Sequence, residues 1–343
     1  MNDLSKRYLV VTDYIEANSG KDVSDELQKL ILDNPQRTIY FPDGEYLLGK
    51  PICTPANPDN AVSIEMATFA ILRATPDWSD TEAMVRIGAA EPYNTIYKTG
   101  SNYYFTGGII DGSGIASGIS IDSGRETCIH HVSIKNVKVG IHIKWGANNG
   151  SSDADVHSVN IVGNGAKDSI GVWTQGHDNT LTNMRIAGVH TGIKLDSGGN
   201  ILRNLHPLYT GYIGELGEIE NYLTSVAFAD TCNDNYYDVC YSDQFCTAFS
   251  MTSKSRNIYD KSYIMWYSSK GEVETAFKVD GKLEAIIRSP RVNFRCDTKN
   301  TLLTVSEEGG GGMIDTPMVN NAALLEANKE YEKYLVGRVV APK

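Results

Sequence analysis

The 343-residue chain carries 31 Lys and Arg against 42 Asp and Glu, a formal charge of −11. That balance argues against nucleic acid or an anionic membrane surface as a partner, because both demand a cationic face. With 41% hydrophobic residues the chain can bury a large core, and its 32 glycines suit a fold that turns several times per repeat.

The opening stretch MNDLSKRYLVVTDYIEANSG lacks the long apolar segment and small-residue cleavage site of a signal peptide, and no stretch reaches transmembrane length. The expected location is therefore the cytoplasm if the chain is full length, and outside the cell or on its surface if a leader was removed. Residues 1–52 are expected to form a cap. Asp22 or Ser24 can start a helix through about Leu32, with Val23, Leu27, Leu30 and Ile31 as its apolar stripe and Asn34-Pro35 as its stop. TIYFPDGEYLL then reads as strand, turn, strand. Pro55, Pro58, Pro76 and Pro92 exclude uninterrupted helices and central strands from the next stretch.

From Tyr103 onward a phrase of the form small-Φ-x-Φ-x, with Φ apolar, recurs: GISID at 118, GIHIK at 140, SIGVW at 169, GIKLD at 192, SVAFA at 225, AFSMT at 248, AFKVD at 276 and LLTVS at 302. The starts lie 22 to 33 residues apart. That is the period of a solenoid, in which each coil adds one rung and cannot bury its apolar face alone. Residues 53–308 are assigned to the solenoid and 309–343 to a tail or terminal helix, all within one structural domain. Strand side chains have period two, so Ile119, Ile141, Ile170, Ile193, Val226, Phe249 and Phe277 are expected to form an internal column. Asn179, Asn183, Asn200, Asn204, Asn235 and Asn257 recur near the turns and suit an internal ladder that satisfies stacked turn groups. The six cysteines show no CxxC pair, so neither a zinc site nor a disulfide framework is indicated.

Outward residues then fall into two columns. One runs through Ser120, His142, Gly171, Lys194, Ala227, Ser250, Lys278 and Thr304, the other through Asp122, Lys144, Trp173, Asp196, Ala229, Thr252, Asp280 and Ser306. In this register Gly171 is the floor of a notch between His142 and Lys194, edged by Lys144, Trp173 and Asp196. An aromatic platform beside a small floor and convergent polar groups suits a sugar ring, whose apolar face stacks while its hydroxyls hydrogen-bond. Upstream strands add an outward series of Ser133, Asn160, Arg185 and His206. Immediately after His206 comes the one large insertion, PLYTGYIGELGEIENYLT, whose Glu215 and Glu218 can supply acid or base groups.

The run VTDYIEANSGKDVSDELQKLILDNPQRTIYFPDGEYLLGKPI resembles the amino-terminal signature of the pectate-lyase-like superfamily, and GGIIDGSG at 107–114 is similar to the early IDGxG turn of polygalacturonase-type hydrolases. The superfamily also holds polysaccharide lyases and phage tailspike depolymerases. The resemblance implies an all-β, right-handed parallel β-helix with a short capping helix, and an oligo- or polysaccharide as partner. Related solenoids often trimerise along a flank, so a homotrimer is implied too. The hydrolases' NTD, DD, GHG and late RIK segments are not matched in order; the nearest phrases are His142-Ile143-Lys144, Lys167-Asp168 and Gly176-His177-Asp178.

The combined expectation is an enzyme that cleaves or transfers glycosidic bonds with a carboxylate pair, Asp196 with Glu215 or Glu218, about 5 to 9.5 Å apart. His142, Lys144, Trp173, Arg185, Lys194 and His206 are the expected sugar contacts, with no cofactor and no metal. A polysaccharide lyase, with Lys194, Arg185, His142 or His206 as base and charge neutraliser, is the alternative. A noncatalytic glycan-binding or tailspike-like module is the third reading.

Overall fold

The computed structural model describes residues 8–101, 103–209, 222–266, 274–294, 300–320 and 330–341. The expectations for Glu215 and Glu218, and most of the expected terminal helix, lie outside them. The fold is a right-handed parallel β-helix, mostly strands in parallel sheets with, among the described residues, one short α-helix. The chain divides into two compact units, residues 1–164 with 172–180, and residues 165–171 with 181–343.

In the first unit a short strand, Leu9–Val10, is followed by the helix Ser24–Leu32, whose Leu27, Leu30 and Ile31 are buried and whose first turn carries Asp25 and Glu26 against the positive end of the helix dipole. Asp22 holds its start, accepting from the backbone nitrogens of Ser24 and Gly49, each at 2.9 Å. The strands Arg37–Phe41 and Gly44–Leu48 both pair in parallel with the long strand Val62–Ala74. This strand pairs in turn with Tyr104–Asp111. A second parallel sheet brings Ala83–Ile87, Ser117–Ile121 and Val139–Ile143 into register. Val85, Ile119 and Ile141 occupy one inward position, Ile87, Ile121 and Ile143 the next, and all are buried.

In the second unit the strands Thr191–Leu195, Val226–Asp230, Thr247–Thr252, Thr275–Asp280 and Thr301–Val305 stack in parallel. Their inward column is Ile193, Phe228, Phe249, Phe277 and Leu303. The rings of Phe228 and Phe249 stack at 4.7 Å and those of Phe249 and Phe277 at 5.2 Å. Asn235 Oδ1 accepts from the backbone nitrogen of Asn200, and Asn257 Oδ1 from that of Asn235, both at 2.9 Å. This is the internal ladder. Asn183 and Asn204 do not belong to it: both sit at left-handed φ, 53° and 51°, and bond each other at an exposed corner. A short polar side chain tolerates that conformation, which is why Asn recurs there as well as inside.

The internal column differs from expectation at two points. Val139–Ile143, Ile170–Thr174, Thr191–Leu195 and Val226–Asp230 share one burial pattern, in which the third and fifth residues point in and the first and fourth are half-exposed. Val172 and Phe228, not Ile170 and Val226, therefore occupy the inward positions. The second residue of each strand must be small. A Cβ on Gly171 would lie 2.4 Å from Ile186 Cγ2 and 2.5 Å from the Gly192 carbonyl oxygen, far inside van der Waals contact. Gly171 thus faces the packed interior and forms no outward notch.

Candidate functional site

In the first unit the strand register stacks Arg86, Ser120 and His142 on the outer face of three successive rungs. Asp122 and Lys144 follow the strand ends, each held by its backbone nitrogen on the previous rung, at Ile87 and Ile121. One Asp122 oxygen accepts from Arg86 Nη2 at 2.6 Å and lies 3.2 Å from Lys144 Nζ, while Ser120 Oγ donates to the other. The same Lys144 donates to Glu82, and Arg86 Nη2 is 3.6 Å from Glu82 Oε2. Two carboxylates therefore meet across two cations. Their exposures differ: the Asp122 side chain is 2% accessible and that of Glu82 37%. Burial pushes the Asp122 carboxyl up, but the Arg86 hydrogen bond, the Lys144 charge and the Ser120 hydroxyl together outweigh it and hold it below the usual carboxylate value.

His142 lies next in this column. Its ring stacks on Trp173 with centroids 4.2 Å apart and planes 4° from parallel, and its Nε2 donates to Gln175 Oε1 at 2.9 Å. Burial holds the His142 imidazole below its ordinary value, the Gln175 bond works the other way, and Lys144 adds to the lowering. The ring is therefore neutral near neutral pH. A recess of about 210 Å³ opens here, lined by Thr81, Glu82, Ser117, His142, Lys144 and Trp173. It combines aromatic carbons, hydroxyls, a carboxylate and an ammonium, the mixture that fits a sugar with one apolar face.

The second unit holds the other expected residues. Lys194 Nζ pairs with Asp196 Oδ2 at 3.1 Å, and Thr231 Oγ1 donates to Asp196 Oδ1 at 3.0 Å. Arg185 donates to the Met184 carbonyl at 3.3 Å. His206 stacks on Tyr241 at 4.0 Å and lies 3.7 Å from Asp243 Oδ2. Inside this unit Asp230 is fully enclosed by neutral donors: Tyr237 OH at 2.6 Å, Asn257 Nδ2 at 2.8 Å and the Cys232 backbone nitrogen at 2.9 Å. Burial pushes its carboxyl up to about 6, although these hydrogen bonds favour the charged form.

The structure thus brings His142, Lys144 and Trp173 to one recess, with Trp173 in the His142 column rather than the one beside it. Glu215 and Glu218 lie outside the described residues. Reading the sequence missed Glu82, Arg86 and Gln175. AMVRI at 83–87 lies in register with SGISI at 117–121, but it puts Met84 where the repeated phrase has a small residue, and it stands in the Pro-containing stretch between cap and repeats. Among the described residues no group of three His, Cys, Asp or Glu is placed to hold a metal ion. Cys53, Cys128, Cys232 and Cys240 are free thiols, and Cys296 lies outside the described residues.

No family model and no curated protein matches the sequence. Solved structures do match. A Geobacillus virus E2 protein, ORF18, aligns over 92% of this chain and 62% of its own at TM-score 0.67 and 10% identity. The tailspike of Escherichia coli bacteriophage HK620, a mutant in complex with a pentasaccharide, aligns over 93% of this chain and 68% of its own at 0.55 and 11%. DFA-IIIase from Arthrobacter chlorophenolicus A6, in complex with GF2, aligns over 99% of this chain and all of its own at 0.53 and 10%. The chain thus spans less than two thirds of the viral ORF18 protein. At such identities the likeness establishes the parallel β-helix fold and nothing finer.

Proposed function

We propose that the protein binds an oligo- or polysaccharide and cleaves or transfers its glycosidic bonds at the first-unit recess, with Glu82 and Asp122 as the carboxylate pair. One observation carries this reading: both carboxylates touch the same nitrogen of Arg86 beside the His142–Trp173 stack, at 3.6 and 2.6 Å. Such contact requires carboxylate oxygens no more than roughly 6 Å apart, which overlaps the ~5–9.5 Å carboxyl separations that two-carboxylate glycosidases use. Asp122, kept anionic, would stabilise the positive charge that grows on the sugar ring in the transition state. Glu82, the more accessible, would exchange a proton with the glycosidic oxygen or a water. The saccharide complexes of the HK620 tailspike and of DFA-IIIase support a saccharide as the ligand class for this scaffold.

A lyase is the second reading, favoured by the two cations Arg86 and Lys144 beside the recess, which could neutralise a uronate carboxylate. Asp196 with Glu215 or Glu218 is the competing placement of the carboxylate pair. One assay separates these. Wild type, Glu82→Gln, Asp196→Asn and Glu218→Gln are compared on a panel of neutral and acidic glycans, each variant first checked for folding. Saturated products and loss of turnover in Glu82→Gln alone are expected. An unsaturated, ultraviolet-absorbing product would establish the lyase, and loss confined to Asp196→Asn or Glu218→Gln would move the site.

A further inference from the structure

In the second unit each coil turns one corner on a residue in left-handed φ, and three successive corners are Lys261, Ser289 and Thr316 at 50°, 46° and 43°. Two residues further along each coil the register stacks Tyr263, Arg291 and Met318. Between these two columns lies a recess of about 460 Å³.

Arg291 is its unusual member. Its guanidinium carbon sits 5.4 Å from the centroid of the Tyr263 ring, and Asn293 Nδ2 donates to the Tyr263 hydroxyl at 3.2 Å, fixing that ring. Among the described residues Arg291 has no carboxylate within 4 Å, as is true also of Arg37, Arg185, Arg256, Arg288 and Arg338, while Arg73, Arg86, Arg125 and Arg203 each have one; the Tyr263 ring beside it is what distinguishes Arg291. In a chain with 42 acidic and 31 basic residues, a guanidinium held over an aromatic ring without an anion is an unused binding fork. Lys261 stands on the rim, 64% accessible, and pairs with its neighbour Asp260 at 3.4 Å. Ser289, Thr316, whose hydroxyl donates to Asp315 Oδ1 at 2.7 Å, and the apolar edges of Tyr263, Met318 and Val340 complete the lining.

We propose that this recess is a glycan-binding site separate from the first-unit recess, and that it takes a sugar bearing a carboxylate, gripped in bidentate fashion by Arg291. The proposal rests on the glycan reading for the nature of the ligand. It does not depend on catalysis.

Calorimetric titration of wild type with trigalacturonate and trimannuronate, each beside its carboxyl-reduced counterpart, provides the test. At least one acid should bind at least tenfold more tightly than its reduced form, with affinity falling as salt rises. Arg291→Ala should lose that tenfold preference, and Arg291→Lys should recover only part of it. Turnover of a neutral glycan should be unchanged in both variants. Equal binding of acid and reduced forms, binding to neither, full affinity in Arg291→Ala, or acetate binding as tightly as the sugar acids would each overturn the proposal. Arg291-dependent binding by a protein that turns over no glycan would leave this site standing and remove the enzymatic reading alone.

Discussion

Asp122 in the first unit and Asp230 in the second differ by one position in the repeat register: Asp230 pairs with the inward Leu195, whereas Asp122 directly follows the inward Ile121. Both side chains are almost inaccessible, yet their chemistry is opposite. Asp122 meets Arg86 and Lys144 and is held below the usual carboxylate value, while Asp230 meets neutral donors and is pushed up to about 6. In a strand, one step in sequence exchanges an outer face that cations can reach for an interior that they cannot. The outward acid is bound into an ionic cluster with Arg86 and Lys144, and the inward one is part of the scaffold's hydrogen-bonded interior.

The sharpest way to break this comparison is to attack the register on which it rests. Phe228→Ala should cost about 3–5 kcal/mol, whereas Val226→Ala, two residues earlier and half-exposed, should cost less than about 1.5 kcal/mol. Urea unfolding of both variants checks this, and equal losses would mean that the inward positions are misassigned.

The two acids should also give pH dependences of opposite sign. Asp230 has a folded-state pKa of about 6, above the ordinary aspartate value of 3.8, so its contribution is fully present below about pH 4 and is lost as pH rises through about 6. The loss is on the order of 3 kcal/mol, at about 1.4 kcal/mol per pKa unit. Unfolding midpoints measured from pH 4 to 7 should therefore decline, and Asp230→Asn should flatten the slope. For Asp122 the folded-state pKa is lowered, so its contribution is present above the unfolded value and is lost as pH falls through the folded one. Asp122→Asn should weaken the acid-side loss of stability and leave the slope above pH 4 unchanged.

The smallest effect concerns the stack beside Asp122. Trp173→Ala should weaken glycan binding by about 1 kcal/mol, a factor of roughly five, without changing the unfolding midpoint by more than a few degrees. An unchanged affinity would remove the aromatic stack from the binding surface.

The repeat phrase made a stacked-coil solenoid legible, because an apolar residue at every second position, repeated over coils of 22 to 33 residues, buries its face only against neighbouring coils. Ile119, Ile141, Ile193, Phe249 and Phe277 all point inward. SIGVW and SVAFA misled for a physical reason: each has apolar residues at both candidate positions, so a slide of two residues preserves the alternation. Only the crowding at Gly171, which comes from a neighbouring rung, decides between them. That slide moved Trp173 out of the His142 column and created a notch at Gly171 that the fold does not have. Glu82 and Arg86 were hidden differently, since their meeting with Asp122 depends on a strand pairing across 36 residues that no local pattern reveals.

The most direct measurement is product formation by wild type and by Glu82→Gln on the glycan that the wild-type protein binds. Saturated cleavage or transfer products are expected from wild type and, from Glu82→Gln, retained binding with turnover lowered at least 100-fold, the usual scale for removing an acid–base group. Full turnover by Glu82→Gln would contradict the assignment of the catalytic carboxylates to the first unit.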